Sequence, residues 1–206
     1  MSSRYTGVMV DWQALRYDLG APWLNLLGSL GHFPTHQPIE RLGDPERLTE
    51  FLEHEGLAPV QPAGPDDVRL AKELRATLHP LAQAAARGRT PDPADVEALN
   101  TFLAADQPLR LQLAGPPAEQ ERGGWELRVA PPADARSALA RIARQAAEHL
   151  TAPEAAHLRL CADEECAGAY LDPTGRRRWC STERCGVKAR VRAHRARKRA
   201  EPGSLS

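Results

Sequence analysis

Cys161-Ala162-Asp163-Glu164-Glu165-Cys166 and, further along, Cys180-Ser181-Thr182-Glu183-Arg184-Cys185 are the two short stretches that decide how this chain folds. They hold all four cysteines of the 206-residue sequence. Zinc takes a tetrahedral shell of soft thiolate donors, and two close pairs of cysteines supply one. Two disulfides are the competing reading. The N-terminus shows no basic segment followed by an apolar core, so a cytoplasmic location is expected, where thiols stay reduced. The wider spacing within each pair is not the C-x-x-C of a thiol redox centre. Four thiolates also leave no open position for a catalytic water. The expectation is one structural zinc ion per chain, held by Cys161, Cys166, Cys180 and Cys185. A segment this short has little core of its own, so the metal should provide most of its folding free energy.

Between the pairs, Leu171-Asp172-Pro173-Thr174-Gly175 reads as a turn flanked by Ala169-Tyr170 and Arg178-Trp179. The expectation is a short hairpin that brings the second pair back to the first. Gly186 then lets the backbone turn beside Cys185, and a helix follows. A hairpin plus a helix around one zinc resembles a treble clef.

Formal net charge is zero, but the charges are segregated. Residues 159–200 hold twelve Lys/Arg against five Asp/Glu, while residues 1–158 hold fifteen against twenty-one. A basic module on an acidic body points to a polyanion partner for the module alone. Beyond Arg159, its cations are Arg176, Arg177, Arg178, Arg184, Lys188, Arg190, Arg192, Arg195, Arg197, Lys198 and Arg199. On a helix from about residue 184, roughly 100° per residue sets Arg184, Lys188, Arg192, Arg195 and Arg199 in one stripe about 80° wide. Ala189, Ala193, Ala196 and Ala200 fill a second stripe, and Val187 and Val191 are placed to pack on the zinc knuckle. Such a helix suits duplex phosphates, with DNA as the expected partner. The alternatives are a solvated charged helix, an acidic protein partner for an interaction adaptor, or RNA, for which Tyr170 and Trp179 are the stacking candidates.

Upstream the periodicities are helical. Trp23 to Leu27 forms an apolar segment. Asp44-Pro45 and Asp92-Pro93 are helix starts, followed by Leu48, Phe51 and Leu52 in one case and Val96, Leu99 and Leu103 in the other. Asp66 is expected to open a longer helix, with Val68, Ala71, Leu74, Leu78, Leu81, Ala82 and Ala85 on one face and Pro80 kinking it. Leu139, Ile142, Ala143, Ala146 and Leu150 mark a last helix. Leu109, Leu111 and Leu113, then Trp125, Leu127 and Val129, alternate as a β-hairpin near residues 109–129 with one buried face. Trp12, Trp23 and Trp125 read as core aromatics. His32 and His36 fall among Gly31, Pro34 and Pro38 and read as ordinary loop histidines rather than ligands, as do His149 and His157. No apolar run is long enough for a transmembrane helix, so no membrane partner is expected. No phosphate loop, nucleophile elbow or HExxH motif is present, and no enzymatic activity is expected.

The C-terminal residues resemble the CGNR zinc-finger family. The matching text is Cys161…Cys166, Tyr170-Leu171-Asp172, Arg177-Arg178-Trp179-Cys180-Ser181 and Cys185-Gly186 with the basic tail. The family's Asn-Arg is here Val187-Lys188, which keeps a cation and loses an amide. The upstream body is similar to the ABATE domain that precedes this finger in stress-induced bacterial transcription regulators. That likeness rests on Leu24-Asn25-Leu26-Leu27-Gly28-Ser29, Glu40-Arg41-Leu42, Leu48…Gly56-Leu57, Ala71-Lys72-Glu73-Leu74-Arg75 and Leu99-Asn100. Asn25 and Gly28-Ser29 stand where the family commonly has an Asp and an Asn-Thr.

The expected fold is α+β and mostly α. Residues 1–152 form a helical domain with the hairpin, and residues 158–200 a small treble-clef-like finger. The resemblance implies a transcription regulator, and the basic finger points to DNA. Because a lone finger offers few base contacts, the N-terminal domain is expected to sense or oligomerise, through a homodimer or a small apolar effector beside Trp23 and Trp125; a monomeric spacer with plain core tryptophans is the alternative.

Overall fold

Helix α3, Pro65–Ala86, is the longest element and the one on which most others pack. It belongs to a computed structural model that describes residues 11–31, 37–114, 126–163 and 165–200. Its apolar stripe of Val68, Ala71, Leu74, Leu78, Leu81 and Ala82 is buried. The helix starts one residue earlier than the sequence suggests. Gly64 is the N-cap, Pro65 supplies a preset φ at N1, and the Asp67 carboxylate accepts from the Gly64 N–H at 2.8 Å. The helix then runs unbroken through Pro80.

Around α3 stand α1 (Pro22–Leu27), α2 (Pro45–His54), α4 (Pro93–Leu103) and α5 (Ala135–Thr151). Three of these starts are fixed by aspartates. Asp44, Asp92 and Asp134 each accept a backbone N–H of the first turn, from Arg47, Ala94 and Ser137 at 2.8 Å in each case. The core is built from Trp23, Leu24 and Leu26 of α1, Phe51 and Leu52 of α2, the stripe of α3, and Leu139, Ile142 and Ala143 of α5. Trp23 is core, as expected, and its indole N–H donates to His149 Nδ1 at 3.1 Å. Trp12 is only half-buried. Trp125, His32 and His36 lie outside the described residues.

Two short antiparallel pairs decorate the bundle. Strands β1 (Leu30–Gly31) and β2 (Ile39–Glu40) pair Leu30 with Glu40. Strands β3 (Leu111–Ala114) and β4 (Glu126–Val129) pair Leu111 with Val129 and Leu113 with Leu127. This is the expected hairpin, but its expected buried face is not buried. Leu109, Leu111, Leu113, Leu127 and Val129 are all exposed, Leu113 at 67%. Alternation marks an amphipathic ribbon; it does not provide the helix or sheet that would cover it.

After a 3₁₀ turn at Pro153–His157, strand β5 (Leu158–Leu160) pairs with β6 (Ala169–Leu171). Here too the structure departs from expectation. The partner of Ala169-Tyr170 is the upstream strand, not Arg178-Trp179. Residues 172–175 still form the turn, with the Asp172 carboxylate accepting from the N–H groups of Thr174 and Arg177 and Gly175 at φ +66°. That turn returns the chain so that the Ala162 N–H donates to the Arg178 carbonyl at 2.9 Å. A wide turn at Thr182–Gly186 leads into α6, Val187–Ala200. The hairpin β5–β6 packs on α1 and α3, and Tyr170, Leu158 and Cys180 join the same core as the helices.

Replacing Asp134 by Ala removes the α5 cap and should lower stability by about 1 kcal/mol in denaturant unfolding. Hydrogen bonds from Ser137 hold the Asp134 carboxyl below its usual range. A depressed folded-state pKa gives stabilisation that is present above the unfolded pKa and lost as pH falls through the folded one. The wild type should therefore lose its advantage over Asp134→Ala on acidification below about pH 4.

Candidate metal centre

Cys161 and Cys166 sit between β5 and β6, Cys180 stands just before the Thr182–Gly186 turn and Cys185 lies within it. The four Sγ atoms lie within 4.8 Å of one another. Cys180 Sγ is 3.7 Å from both Cys166 Sγ and Cys185 Sγ. A zinc–sulfur bond of about 2.3 Å gives a tetrahedron with edges of about 3.8 Å, whereas a disulfide needs about 2.0 Å. The spacing fits the metal and not the bridge, and no cysteine is paired in a disulfide. Gly168 allows this approach, because a Cβ there would stand 3.2 Å from Cys166 Sγ and 3.5 Å from Cys180 Sγ.

The body supports the centre directly. Arg16, buried, donates to Cys180 Sγ at 3.1 Å and to the Cys180 carbonyl at 2.7 Å, while its other side is clamped by Asp18. Hydrogen bonds from Cys161, Cys166 and Cys185, together with the Arg16 charge, hold the Cys180 thiol far below its usual range. The same shared hydrogen bonds push the Cys166 and Cys185 thiols up, so without metal the cluster keeps its negative charge at Cys180, beside Arg16. Further ties are the Leu171 N–H on the Leu19 carbonyl at 2.9 Å and Arg184 on the Asp11 carbonyl at 2.9 Å.

The basic residues fall into distinct groups. Lys188 and Arg192 lean across onto the acidic first knuckle and pair with it. Arg192 meets Asp163 at 2.6 Å and Glu165 at 2.5 Å, and Lys188 meets Glu165 at 3.3 Å. Asp163 is itself buried, so these contacts dock α6 on the zinc site. The cation kept at position 188, where the family's motif has Asn-Arg, thus serves the fold. Arg184 is half-buried beside Trp12, 5.7 Å from the ring centroid. Arg177 covers Tyr170 and donates to the Cys180 carbonyl at 2.6 Å, and Arg178 lies over Trp179. Tyr170 is buried and is no platform for a base, and Trp179 is partly buried. Arg176, Arg190, Arg195, Arg197, Lys198 and Arg199 are exposed and form no ion pair among the described residues. Val187 and Val191, expected against the knuckle, are each 41% exposed, because the acidic knuckle docks the Lys188–Arg192 side instead.

Sequence reasoning missed a second feature, a cavity of about 360 Å³ between body and finger. Arg16, Arg41, Lys72, Arg75, Arg184 and His79 line it beside Leu19, Leu27 and Pro80. Glu40 binds Arg75 at 2.6 Å and Lys72 at 3.9 Å. Against the burial that would raise it, the Arg75 hydrogen bond and charge hold the Glu40 carboxyl below its usual range. Asn25, where the family commonly has an acid, ties the Leu19 N–H to Glu55 and so serves as a brace. No signal in the linear sequence gathers these cations, which come from segments far apart.

The family model described as "Putative stress-induced transcription regulator", ABATE, matches residues 20–153. The chain belongs to the ABATE family. The CGNR zinc-finger model matches residues 157–198, which contain all four thiols and most of α6. The protein is thus an ABATE-family chain with a four-cysteine finger that binds one structural zinc ion. Neither family is named for an enzyme. No individual curated protein is similar enough to count as a relative. No helix among the described residues is long and apolar enough to cross a membrane.

Elemental analysis should find zinc at one per chain, and Cys180→Ser should reduce it well below that. Because Cys180 and Tyr170 share the helical core, zinc removal should also lower the midpoint of helix unfolding. Losing the Arg16 contacts alone is worth about 1–3 kcal/mol. Retention of the full midpoint after chelation, followed by circular dichroism, would separate finger from body energetically.

Proposed function

We propose that this ABATE protein is a DNA-binding transcription regulator that lays the outer half of α6 along duplex phosphates. The observation that carries this reading is the division of labour on α6. Lys188 and Arg192 are held by Asp163 and Glu165, while Arg190, Arg195, Arg197, Lys198 and Arg199 project without an acidic partner among the described residues. Fixing the base of the helix on a metal-braced knuckle orients the free cations at little further entropic cost. Alanines at 189, 193 and 196 keep the helix slim enough for close approach to a groove. The family's description as transcription regulators agrees with this use.

One finger offers few base contacts, each worth about 1–3 kcal/mol. Two fingers joined in a homodimer would gain through effective concentration. The uncovered leucine face of β3–β4 supports pairing of two chains, since contiguous exposed apolar surface of this kind favours association.

Affinity for duplex DNA should fall with salt at a log–log slope of about −0.9 per phosphate neutralised. Replacing Arg195, Arg197, Lys198 and Arg199 by Ala should reduce that slope by about 3–4 and leave zinc content intact. An unchanged slope would reject the outer half of α6 as the contact surface. In sedimentation, Leu113→Glu should shift the chain to monomer; a wild type monomeric at high concentration would reject the dimer.

A further inference from the structure

We propose that the cavity between body and finger binds a small organic carboxylate, an anion with an apolar body, held by Arg41 and Arg184. Arg41 is only 4% exposed and has no acidic partner among the described residues. Its Nε donates to the Trp12 carbonyl at 2.8 Å and its Nη1 to the Gly28 carbonyl at 3.0 Å. Among the described residues no hydrogen bond engages Nη2. From the finger side, Arg184 sends Nη2 to the Asp11 carbonyl, while its Nη1 is buried without a hydrogen-bond partner. Buried donors left unmade cost about 1–3 kcal/mol, more when charged, so two such groups beside one cavity call for an acceptor.

The remaining charges do not supply it. Asp18 and Cys180 engage Arg16, and Glu40 engages Arg75 and Lys72. A zinc with four thiolates keeps a net negative charge, and Arg16 is the arginine that donates to it. Arg41 and Arg184 make no hydrogen bond to a sulfur. Burial, with Arg184 and Arg16 near and only partly offset by Cys166 and Cys180, pushes the Arg41 guanidinium down to about 10. The rest of the wall is apolar, with Trp12, Leu30, Ala76 and Pro80 facing the space. A cavity of about 360 Å³ lies within the range of small-molecule sites. An Arg fork matches a carboxylate, and the apolar wall selects against bare inorganic anions. The site stands whether or not α6 binds DNA.

The test is calorimetry on the zinc-loaded full chain with octanoate and benzoate, each compared with its uncharged alcohol, and with inorganic phosphate. At least one carboxylate should saturate a single site, with its alcohol and phosphate at least tenfold weaker. Arg41→Met should weaken carboxylate binding at least tenfold. Ala76, exposed at the cavity on α3, provides a variant that leaves the core alone: Ala76→Phe should weaken binding as much by filling the space. If Arg41→Met does not load zinc, Ala76→Phe decides by itself. Absence of saturable binding by either carboxylate, equal affinity for alcohol or phosphate, or full affinity in Ala76→Phe would overturn the proposal.

Discussion

Arg16 joins the two halves of this protein at the metal centre. Its guanidinium is clamped by Asp18 on one side and reaches the sulfur and carbonyl of Cys180 on the other. A buried cation is expensive unless it is both paired and hydrogen-bonded. Asp18 pairs the charge, but Nη1 and the second bond of Nη2 are met by a metal-ligating thiol and its carbonyl, so the arginine is fully satisfied only when the finger is docked. The thiolate in turn gains a charge-assisted hydrogen bond only when the body presents Arg16. Each half thus completes a polar requirement of the other, and apolar contacts of Leu158, Ala169 and Tyr170 with the helical core add area to the same joint.

That joint explains why the finger can be so small. The hairpin β5–β6 has three residues per strand and would not fold alone. Its cohesion comes from four thiols around one metal, from the Asp172 turn, and from the surface of α1 and α3 beneath it. Gly20, at φ +102°, lies against Leu171, where the Leu19 carbonyl accepts the Leu171 N–H. The body therefore holds the finger's outer strand by backbone as well as by side chains.

The metal site was legible because ligand chemistry is local: four thiols in two close pairs leave few other uses. The helix starts at Asp44-Pro45 and Asp92-Pro93 were legible for the same reason, a cap and a fixed φ within two residues. The start of α3 was displaced because Asp66 and Asp67 both suit a first turn, and only the fold shows that Asp67 reaches back to Gly64. The alternation at Leu111 and Leu113 announced a strand pair but carried no information about a covering surface. The packing of Val187 and Val191 failed for a related reason. A helix wheel fixes which residues share a face, and it was the acidic knuckle, through Asp163 and Glu165, that decided which face meets the finger. The cavity left no trace in the sequence, since Arg16, Arg41, Arg75 and Arg184 look like background in an arginine-rich chain.

The charge segregation read from the sequence also changes meaning in three dimensions. The acidic residues of the finger are not spread against its cations. Asp163 and Glu165 sit at the first knuckle and neutralise the base of α6, and no acid occurs on α6 itself. Positive potential therefore grows along the helix towards its exposed end, away from the body. A helix fixed at one end and charged at the other presents its field in a defined direction, which uniform charge along its length would not do. The direction is set by the Asp163–Arg192 contact, and that contact stands on the knuckle that the metal closes. Orientation of the cations and integrity of the zinc site are in this way one property of the molecule.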